Sequence, residues 1–253
     1  MTAESASVIV VSQVPPPVHG STVMTRVLLS ELTRIGYAVR LIDRRFSRTL
    51  DEVGSGSLRK FLVAPSLLVR AAAALHRPRP AVLVDFVSTN PLAFISDAIV
   101  CRTAHHLHVP IVLYVHTRGF HTLAARSAAW RAAVTSILEA AQCIVTLSPA
   151  LKDDLDGLID PARITVIANT LEDYPSSPED YSARHAGPVL FMSNLMPEKG
   201  ALDFVSMAAS IGETRSDLRF VIAGASYSDE HTRRVRHAID SSPLRGRIEM
   251  VGA

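Results

Sequence analysis

Short runs of apolar, β-branched residues alternate along the chain with longer segments in which apolar residues recur at helical spacing. The short runs are continuously apolar, which is typical of strands that are buried on both faces of a parallel sheet. Before residue 170 they predict strands at Ser7–Ser12, Ala38–Ile42, Ala81–Asp85, Ile111–Val115, Cys143–Leu147 and Ile164–Ile167. The helices predicted between them are Ser21–Ile35, Leu58–Leu75, Pro91–Leu107, Arg126–Ala140 and Ala150–Leu158. This alternation predicts a doubly wound α/β domain.

The pattern changes near residue 170. Leu171–Gly187 is rich in Pro, Ser and charged residues and has no apolar periodicity, so we interpret it as an interdomain linker. The α/β pattern then restarts, with strands at Val189–Met192, Arg219–Ile222 and Ile248–Val251 and helices at Ala201–Ile211 and Asp229–Ser241. We therefore predict an N-terminal domain over 1–170, a linker over 171–187 and the first half of a second domain over 188–253.

The second predicted domain has only three strands and two helices. Such a half-sheet leaves apolar faces and an open edge exposed to water. Either another chain completes this domain or the sequence is a truncated product, and we expect truncation.

Composition excludes several classes of protein. Hydrophobic residues make up 48% of the 253 positions and charged residues 20%, as in globular proteins. A net charge of +2 excludes a dominant basic patch of the kind that drives nucleic-acid binding. The two cysteines are far apart, so we expect neither a disulfide framework nor a zinc site. Because the chain lacks a secretory signal and a run of about 18 apolar residues, we predict a cytoplasmic protein.

The first candidate for chemistry is the turn Gln13–Thr22, with the sequence QVPPPVHGST. It joins the first strand to the first helix, at the sheet edge where open α/β sheets bind ligands. Gly20 would let the backbone approach a ligand closely, and the helix N-terminus favours an anion. The turn lacks the G-x-G-x-x-G fingerprint, which disfavours a nicotinamide dehydrogenase. A stiff loop with a helix cap is the alternative interpretation.

The second candidate is Tyr114–Phe120, with the sequence YVHTRGF, at the end of the fourth predicted strand. His116 leaves that strand at its carboxyl end, where its imidazole could donate a hydrogen bond to a substrate hydroxyl or carbonyl. The chain has ten histidines, so the position of His116 supports this prediction more than its identity does.

The third candidate is Leu190–Gly200, with the sequence LFMSNLMPEKG, which leads from a strand into a helix. Lys199 is one of three lysines in a chain that has 23 arginines. Its ammonium group and the following helix dipole would form a pocket for a diphosphate. The alternative is a surface lysine at the start of a helix. In the next strand and loop, FVIAGA, Gly224 would let the backbone approach a bound ring or phosphate.

These segments together resemble one enzyme family. PPPVHGST, YVHTRGF, CIVTLSPALKDDL, ITVIANTLED, LFMSNLMPEKG and FVIAGA follow one another in the order seen in family 4 glycosyltransferases. The resemblance covers essentially the whole chain. It implies a GT-B fold with two Rossmann-like domains, the second incomplete, a nucleotide-sugar donor, and transfer with retention of configuration.

The resemblance also implies roles for individual residues. Gly20 and its loop resemble the loop that lies over the donor diphosphate, and His116 is similar to the histidine that contacts the transferred sugar. Lys199 resembles the basic residue that holds the diphosphate. Most relatives carry an arginine where this chain has Asn194, which keeps a hydrogen-bond donor but loses the charge. The family's Glu-x7-Glu segment would lie beyond residue 253.

The implied reaction needs neither a metal ion nor another cofactor. We predict no metal site, and we expect Asp153 and Asp154 to cover a solvated helix face. The acceptor would be a glycan or a lipid-linked sugar. For a lipid-linked acceptor, the basic-flanked apolar segment Leu58–Leu75 could lie on the inner face of the membrane, although a helix packed on the sheet is the interpretation that we favour.

Two other functions stay open at this point. A nucleotide-sugar epimerase uses the same double-Rossmann fold and would yield an isomerised nucleotide-sugar rather than free nucleotide. A truncated, non-catalytic remnant of a transferase is the other alternative.

Overall fold

The computed structural model describes residues 6–16, 18, 20–44, 58–76, 80–170 and 187–252, with the backbone alone over 58–64. These residues form two compact units, 6–170 and 187–252. The predicted linker lies outside the described residues except for Gly187, so its role stays a prediction.

The N-terminal unit is built on one sheet of six parallel strands. They are β1 (Ser7–Ser12), β2 (Ala38–Asp43), β3 (Val82–Asp85), β4 (Ile111–Val115), β5 (Cys143–Thr146) and β6 (Ile164–Val166). The order across the sheet is β2-β1-β3-β4-β5-β6, so it reverses between β1 and β3. The crevice beyond the carboxyl ends of the strands at such a reversal is where open α/β sheets bind ligands.

Six α-helices in this unit follow or connect the strands. They are α1 (Gly20–Arg34), α2 (Leu58–His76), α3 (Pro91–His106), α4 (Phe120–Ala124), α5 (Ala128–Ala140) and α6 (Pro149–Lys152). The six strands and the first three helices lie within one residue of their predicted bounds at each end.

Two predicted helices of the N-terminal unit are wrong in part. The segment Arg126–Ala140 becomes helical only at Ala128, because the Ser127 hydroxyl accepts a hydrogen bond from the Trp130 amide at 3.2 Å and caps α5. The short helix α4, which precedes it, was not predicted. The segment Ala150–Leu158 holds only α6 and a 3₁₀ turn, and Gly157 follows with a left-handed φ of 66° that ends the helical path.

The core of this unit lies on both faces of the sheet. In β1, Ile9 and Val11 pack in a cluster with α2, α3 and α5, whereas Val8 and Val10 pack on the opposite face, against side chains of α1. Each of these four residues is at most 1% exposed. This confirms the prediction that the continuously apolar runs are strands covered on both faces.

The C-terminal unit has a parallel sheet of three strands, β7 (Val189–Met192), β8 (Phe220–Ala223) and β9 (Ile248–Gly252), in that order. Helices α7 (Ala201–Thr214) and α8 (Asp229–Asp240) supply Val205 and Val235 to a core around Phe220. Leu190, Met192 and Val251 are exposed, as expected for a sheet with too few covering helices. The α/β class predicted from the sequence is confirmed.

None of the described helices is both long enough and apolar enough to cross a membrane. The hypothesis that Leu58–Leu75 lies on a membrane stays a prediction. Its basic flanks, Arg59, Lys60, Arg77 and Arg79, lie outside the described side chains.

Candidate active site

Three rings stack at the carboxyl edge of the N-terminal sheet. The centroids of Phe86 and His116 lie 4.9 Å apart with an angle of 18° between the rings, and those of Tyr114 and His116 lie 4.8 Å apart at 25°. Phe86 and Tyr114 also stack on each other, at 4.8 Å and 8°. Phe86 follows β3, while His116 follows β4, and both neighbours of the imidazole are buried. The imidazole of His116 therefore contacts two aromatic rings at the ligand-binding edge.

The turn after His116 is held by a carboxylate. The Oδ2 atom of Asp154 accepts hydrogen bonds from the amides of Gly119 at 2.7 Å and Phe120 at 2.9 Å. Gly119 has a φ of 128°, which only glycine adopts readily, and the Thr89 side chain would stand 3.1 Å from a Cβ atom there. The prediction that Asp153 and Asp154 cover a solvated helix face is therefore wrong for Asp154. Asp153 is exposed, as predicted.

Gly20 is the first residue of α1 and is exposed. A Cβ atom on Gly20 would have no described atom within 4 Å, so neighbouring residues do not require a glycine at this position. The helix that it opens is tied to β1, because the hydroxyls of Ser12 and Thr25 lie 2.6 Å apart. The proposed approach of this loop to a diphosphate stays a prediction.

A buried charge cluster, not predicted from the sequence, lies beneath the same edge. Arg44, which follows β2, places its Nη1 atom 2.5 Å from Oδ1 of Asp97 and 3.7 Å from Oδ1 of Asp85. Both aspartates are fully buried, and the Arg44 side chain is 13% exposed. The Cys101 thiol donates a hydrogen bond to Oδ2 of Asp85 at 3.4 Å. One arginine thus faces two buried carboxyl groups.

Ionisation of both buried aspartates beside a single arginine would have a high free-energy cost. Burial, followed by the charge of Asp97, raises the pKa of Asp85 to about 8. Asp97 has the closer contact to Arg44 and also accepts a hydrogen bond from the Ser88 amide at 2.8 Å. We therefore assign the ion pair to Arg44 and Asp97, with Asp85 protonated at neutral pH.

In the C-terminal unit, Lys199 closes a 3₁₀ turn, Pro197–Lys199, and is exposed. It makes no ion pair with any residue that the structure describes. Gly200 follows with a left-handed φ of 83° and is the N-cap of α7, where it has no side chain to offer. Among the described residues, no side chain accepts a hydrogen bond from the first amides of α7, and these amides follow directly after a lysine, which favours an anion. The carboxylate of Asp203, in the first turn and close to Gly200, is the opposing negative charge.

Gly224 is required by the protein's own backbone. A Cβ atom on Gly224 would stand 1.7 Å from the carbonyl oxygen of Ser193 and 3.2 Å from the amide nitrogen of Asn194. We predicted that this glycine makes room for a ligand. The backbone at the ends of β7 and β8 already occupies the space beside Gly224, so a ligand is not needed to explain the glycine. Asn194 is half-buried beside this contact, and its carbonyl accepts a hydrogen bond from Met196 at 2.7 Å.

The predicted site residues fall into two groups. Gly20 and His116 belong to the N-terminal unit, and Asn194, Lys199 and Gly224 to the C-terminal one. Within the second group the structure places Asn194 directly against Gly224. Among the described residues, no group of three histidine, cysteine or acidic side chains could hold a metal ion.

Residues 18–172 match the sequence model of a family described as Glycosyltransferase Family 4. No curated protein matches the chain in sequence. The matched segment contains Gly20, His116 and Asp154 and represents more than half of the chain.

Several solved structures are similar in fold. A glycosyltransferase from Rickettsia africae is 15% identical, with a TM-score of 0.67 over 98% of this chain and 68% of that one. A UDP-forming α,α-trehalose-phosphate synthase from Burkholderia xenovorans, in complex with glucose-6-phosphate, is 12% identical, with a TM-score of 0.61 over 98% and 74%. A putative UDP-N-acetylglucosamine 2-epimerase from Listeria monocytogenes is 12% identical, with a TM-score of 0.58 over 99% and 70%. At these identities the likeness concerns the fold alone, and it confirms the predicted GT-B-like class.

Proposed function

The chain belongs to glycosyltransferase family 4, and we propose that it transfers a sugar from a nucleoside-diphosphate-sugar to a glycan or lipid-linked acceptor with retention of configuration. Of the three solved structures described above, two carry UDP in their names, one as a product and one in its substrate. UDP-sugars are therefore the first donors to test.

The observation that carries this proposal is the junction of Lys199 and α7. When the bond between the sugar and the diphosphate breaks, negative charge accumulates on the leaving diphosphate. The ammonium group of Lys199, the uncapped amides of α7 and the helix dipole together offer fixed positive charge for that group. We assign to them the neutralising role that a metal ion has in many other transferases, so the proposed reaction uses no cofactor.

We assign to His116 the contact with the transferred sugar. A group that contacts the reacting centre must hold one orientation, and the stacked rings of Phe86 and Tyr114 restrict its imidazole. Gly20 and the loop before it would lie over the donor, and Asn194 would donate a hydrogen bond to it.

The proposed reaction keeps the anomeric configuration because the acceptor attacks on the side of the leaving group. The bond between the anomeric carbon and the diphosphate oxygen breaks, and a bond from that carbon to the acceptor oxygen forms. The acceptor's proton passes to the departing diphosphate. Lys199 and α7 stabilise the charge on the diphosphate until that proton arrives.

Product analysis tests the proposal against its alternatives. The chain would be incubated with UDP-sugars and a mixed panel of sugar and lipid-linked acceptors, and released nucleotide would be quantified by chromatography. A transferase releases UDP in proportion to glycosylated acceptor. An epimerase would isomerise the UDP-sugar without needing an acceptor. We test this alternative because the similar structure from Listeria monocytogenes is a putative epimerase. Binding of nucleotide with neither product would indicate a non-catalytic remnant.

A further inference from the structure

We propose that the buried pair of Arg44 and Asp97 is a positioning device for His116, acting through Phe86. The inference rests on the proposed function, since it assigns His116 to the reacting centre. Arg44 and Asp97 are positioning residues in this scheme, because the hydrogen bonds on which it depends go to the backbone around Phe86 rather than to the imidazole.

Both members of the pair hold the same short stretch of backbone. The Arg44 guanidinium donates a hydrogen bond from Nη2 to the carbonyl of Phe86, while its Nη1 contacts Asp97. The second carboxylate oxygen of Asp97 accepts a hydrogen bond from the amide of Ser88 at 2.8 Å. The carbonyl on one side of Val87 and the amide on the other are therefore fixed by one ion pair. This clamp determines how the chain leaves β3.

Arg44 is itself held in place. Its backbone amide donates to the carbonyl of Ser12 at 2.9 Å, at the end of β1. A buried ion pair generally stabilises a protein no better than apolar residues of the same size would, so stability is a poor explanation for this one. A rigid fork that contacts a carboxylate and a carbonyl together is, in contrast, well suited to fixing a conformation.

Residues 86–89, which include the backbone held by this ion pair, contact the His116 turn at two points. The ring of Phe86 stacks on the imidazole at 4.9 Å, and the Thr89 hydroxyl donates a hydrogen bond to the carbonyl of Arg118 at 3.1 Å. A shift in residues 86–89 would thus move the imidazole and the turn that carries it. Displacement of a reacting group by about 1 Å can reduce the rate on the order of 100-fold.

The direct test is a nuclear magnetic resonance measurement that does not depend on activity. The ring-proton signals of His116, assigned by their loss in His116→Ala, should be shifted in the parent by the neighbouring aromatic rings. Arg44→Lys keeps the charge beside Asp97 but replaces the two-nitrogen fork with a single nitrogen, so we expect these signals to move. The matched control is Arg102→Lys, which makes the same exchange at an exposed arginine on α3. His116 signals unchanged in Arg44→Lys would overturn the proposal.

A kinetic test uses Phe86→Leu, which leaves the ion pair in place but removes the stacked ring. We expect kcat for transfer to fall about 10- to 100-fold, with nucleoside-diphosphate affinity unchanged. Phe94→Leu is the control, because Phe94 is equally buried in the same unit and contacts Trp130 instead. It should lower stability without lowering kcat.

A double-variant cycle separates positioning from a general structural role. When Phe86→Leu is added to His116→Ala, we expect no further loss of kcat, because the residue to be positioned is already gone. Additive losses would contradict the proposal. If the parent transfers no sugar, the proposed function fails, while the resonance experiment still decides whether Arg44 orients His116.

Discussion

Gly224 and Ser193 lie so close that a Cβ atom on Gly224 would stand 1.7 Å from the Ser193 carbonyl oxygen. The amide of Ser193 donates to the carbonyl of Ala223 at 3.0 Å, so the two segments cannot separate without breaking the β7–β8 ladder. This contact places the loop that carries Asn194 and Lys199 beside the loop after β8.

We predict that Gly224→Ala destabilises the C-terminal unit by about 1–3 kcal/mol or more, because the backbone must move to admit the methyl group. Urea unfolding followed by circular dichroism measures the effect. Gly246→Ala is the matched control, since a Cβ atom there meets nothing within 4 Å. Equal stability of the two variants would contradict the packing explanation.

The buried carboxyl of Asp85 predicts a pH dependence of stability. Its pKa is raised by burial to about 8, above the ordinary value of 3.8 that it has in the unfolded chain. Between those values the folded state binds one more proton than the unfolded state, so the free energy of unfolding should fall as pH rises from about 4 to 8. Asp85→Asn, which cannot ionise, should flatten this slope.

Urea titrations at several pH values check that prediction. Asp153→Asn serves as the control, since it neutralises an exposed carboxylate in the same unit and should keep the parent's slope. A slope in Asp85→Asn that equals the parent's would show that another group is responsible.

Asp154→Ala should loosen the turn that follows His116. It removes the acceptor of two amide hydrogen bonds, which at a helix N-terminus stabilises a protein by about 0.5–2 kcal/mol. We expect a lower melting temperature and slower sugar transfer. The neighbouring variant Asp153→Ala changes the same residue type at an exposed position and should affect neither. If both variants behave alike, Asp154 has no special role in the turn.

The continuous apolar runs were sufficient to place all nine strands within one residue, because strands buried in a parallel sheet have a strong sequence signal. Helix ends depended on local chemistry. The cap at Ser127 is a recognisable signal that would have separated α4 from α5, and Gly157 could have shortened the helix predicted after Ala150. Helix propensity alone predicts neither the break before α5 nor the early end of the helix after Ala150.

The charge cluster could not be predicted in the same way. Arg44 lies 53 residues before Asp97, and only the fold brings them together. The available hint was that Asp85 and Asp97 are acidic residues within otherwise apolar segments, where an unpaired charge would be costly. The sequence does single out Gly224, but it cannot show that the backbone carbonyl of Ser193, and not a ligand, requires a glycine there.

Asn194→Arg should leave nucleoside-diphosphate binding unchanged or strengthen it. The substitution restores the charge that the resemblance leads us to expect at this position, beside the proposed diphosphate pocket. Isothermal titration calorimetry with UDP measures the change, and Ser193→Arg would show whether any added arginine has the same effect. Weaker binding in Asn194→Arg would indicate that the loop requires the asparagine itself.

The most direct test of the account is the affinity of Lys199→Ala for nucleoside diphosphates. Calorimetry with UDP, GDP and ADP requires knowledge of neither the sugar nor the acceptor. We expect Lys199→Ala to weaken binding by about 1.5–3 kcal/mol, the scale of a charge-assisted hydrogen bond. Lys152→Ala, which removes a lysine from the N-terminal unit, should bind as the parent does. Binding by Lys199→Ala as tight as the parent's would contradict the account and leave Lys199 as a surface lysine at the start of a helix.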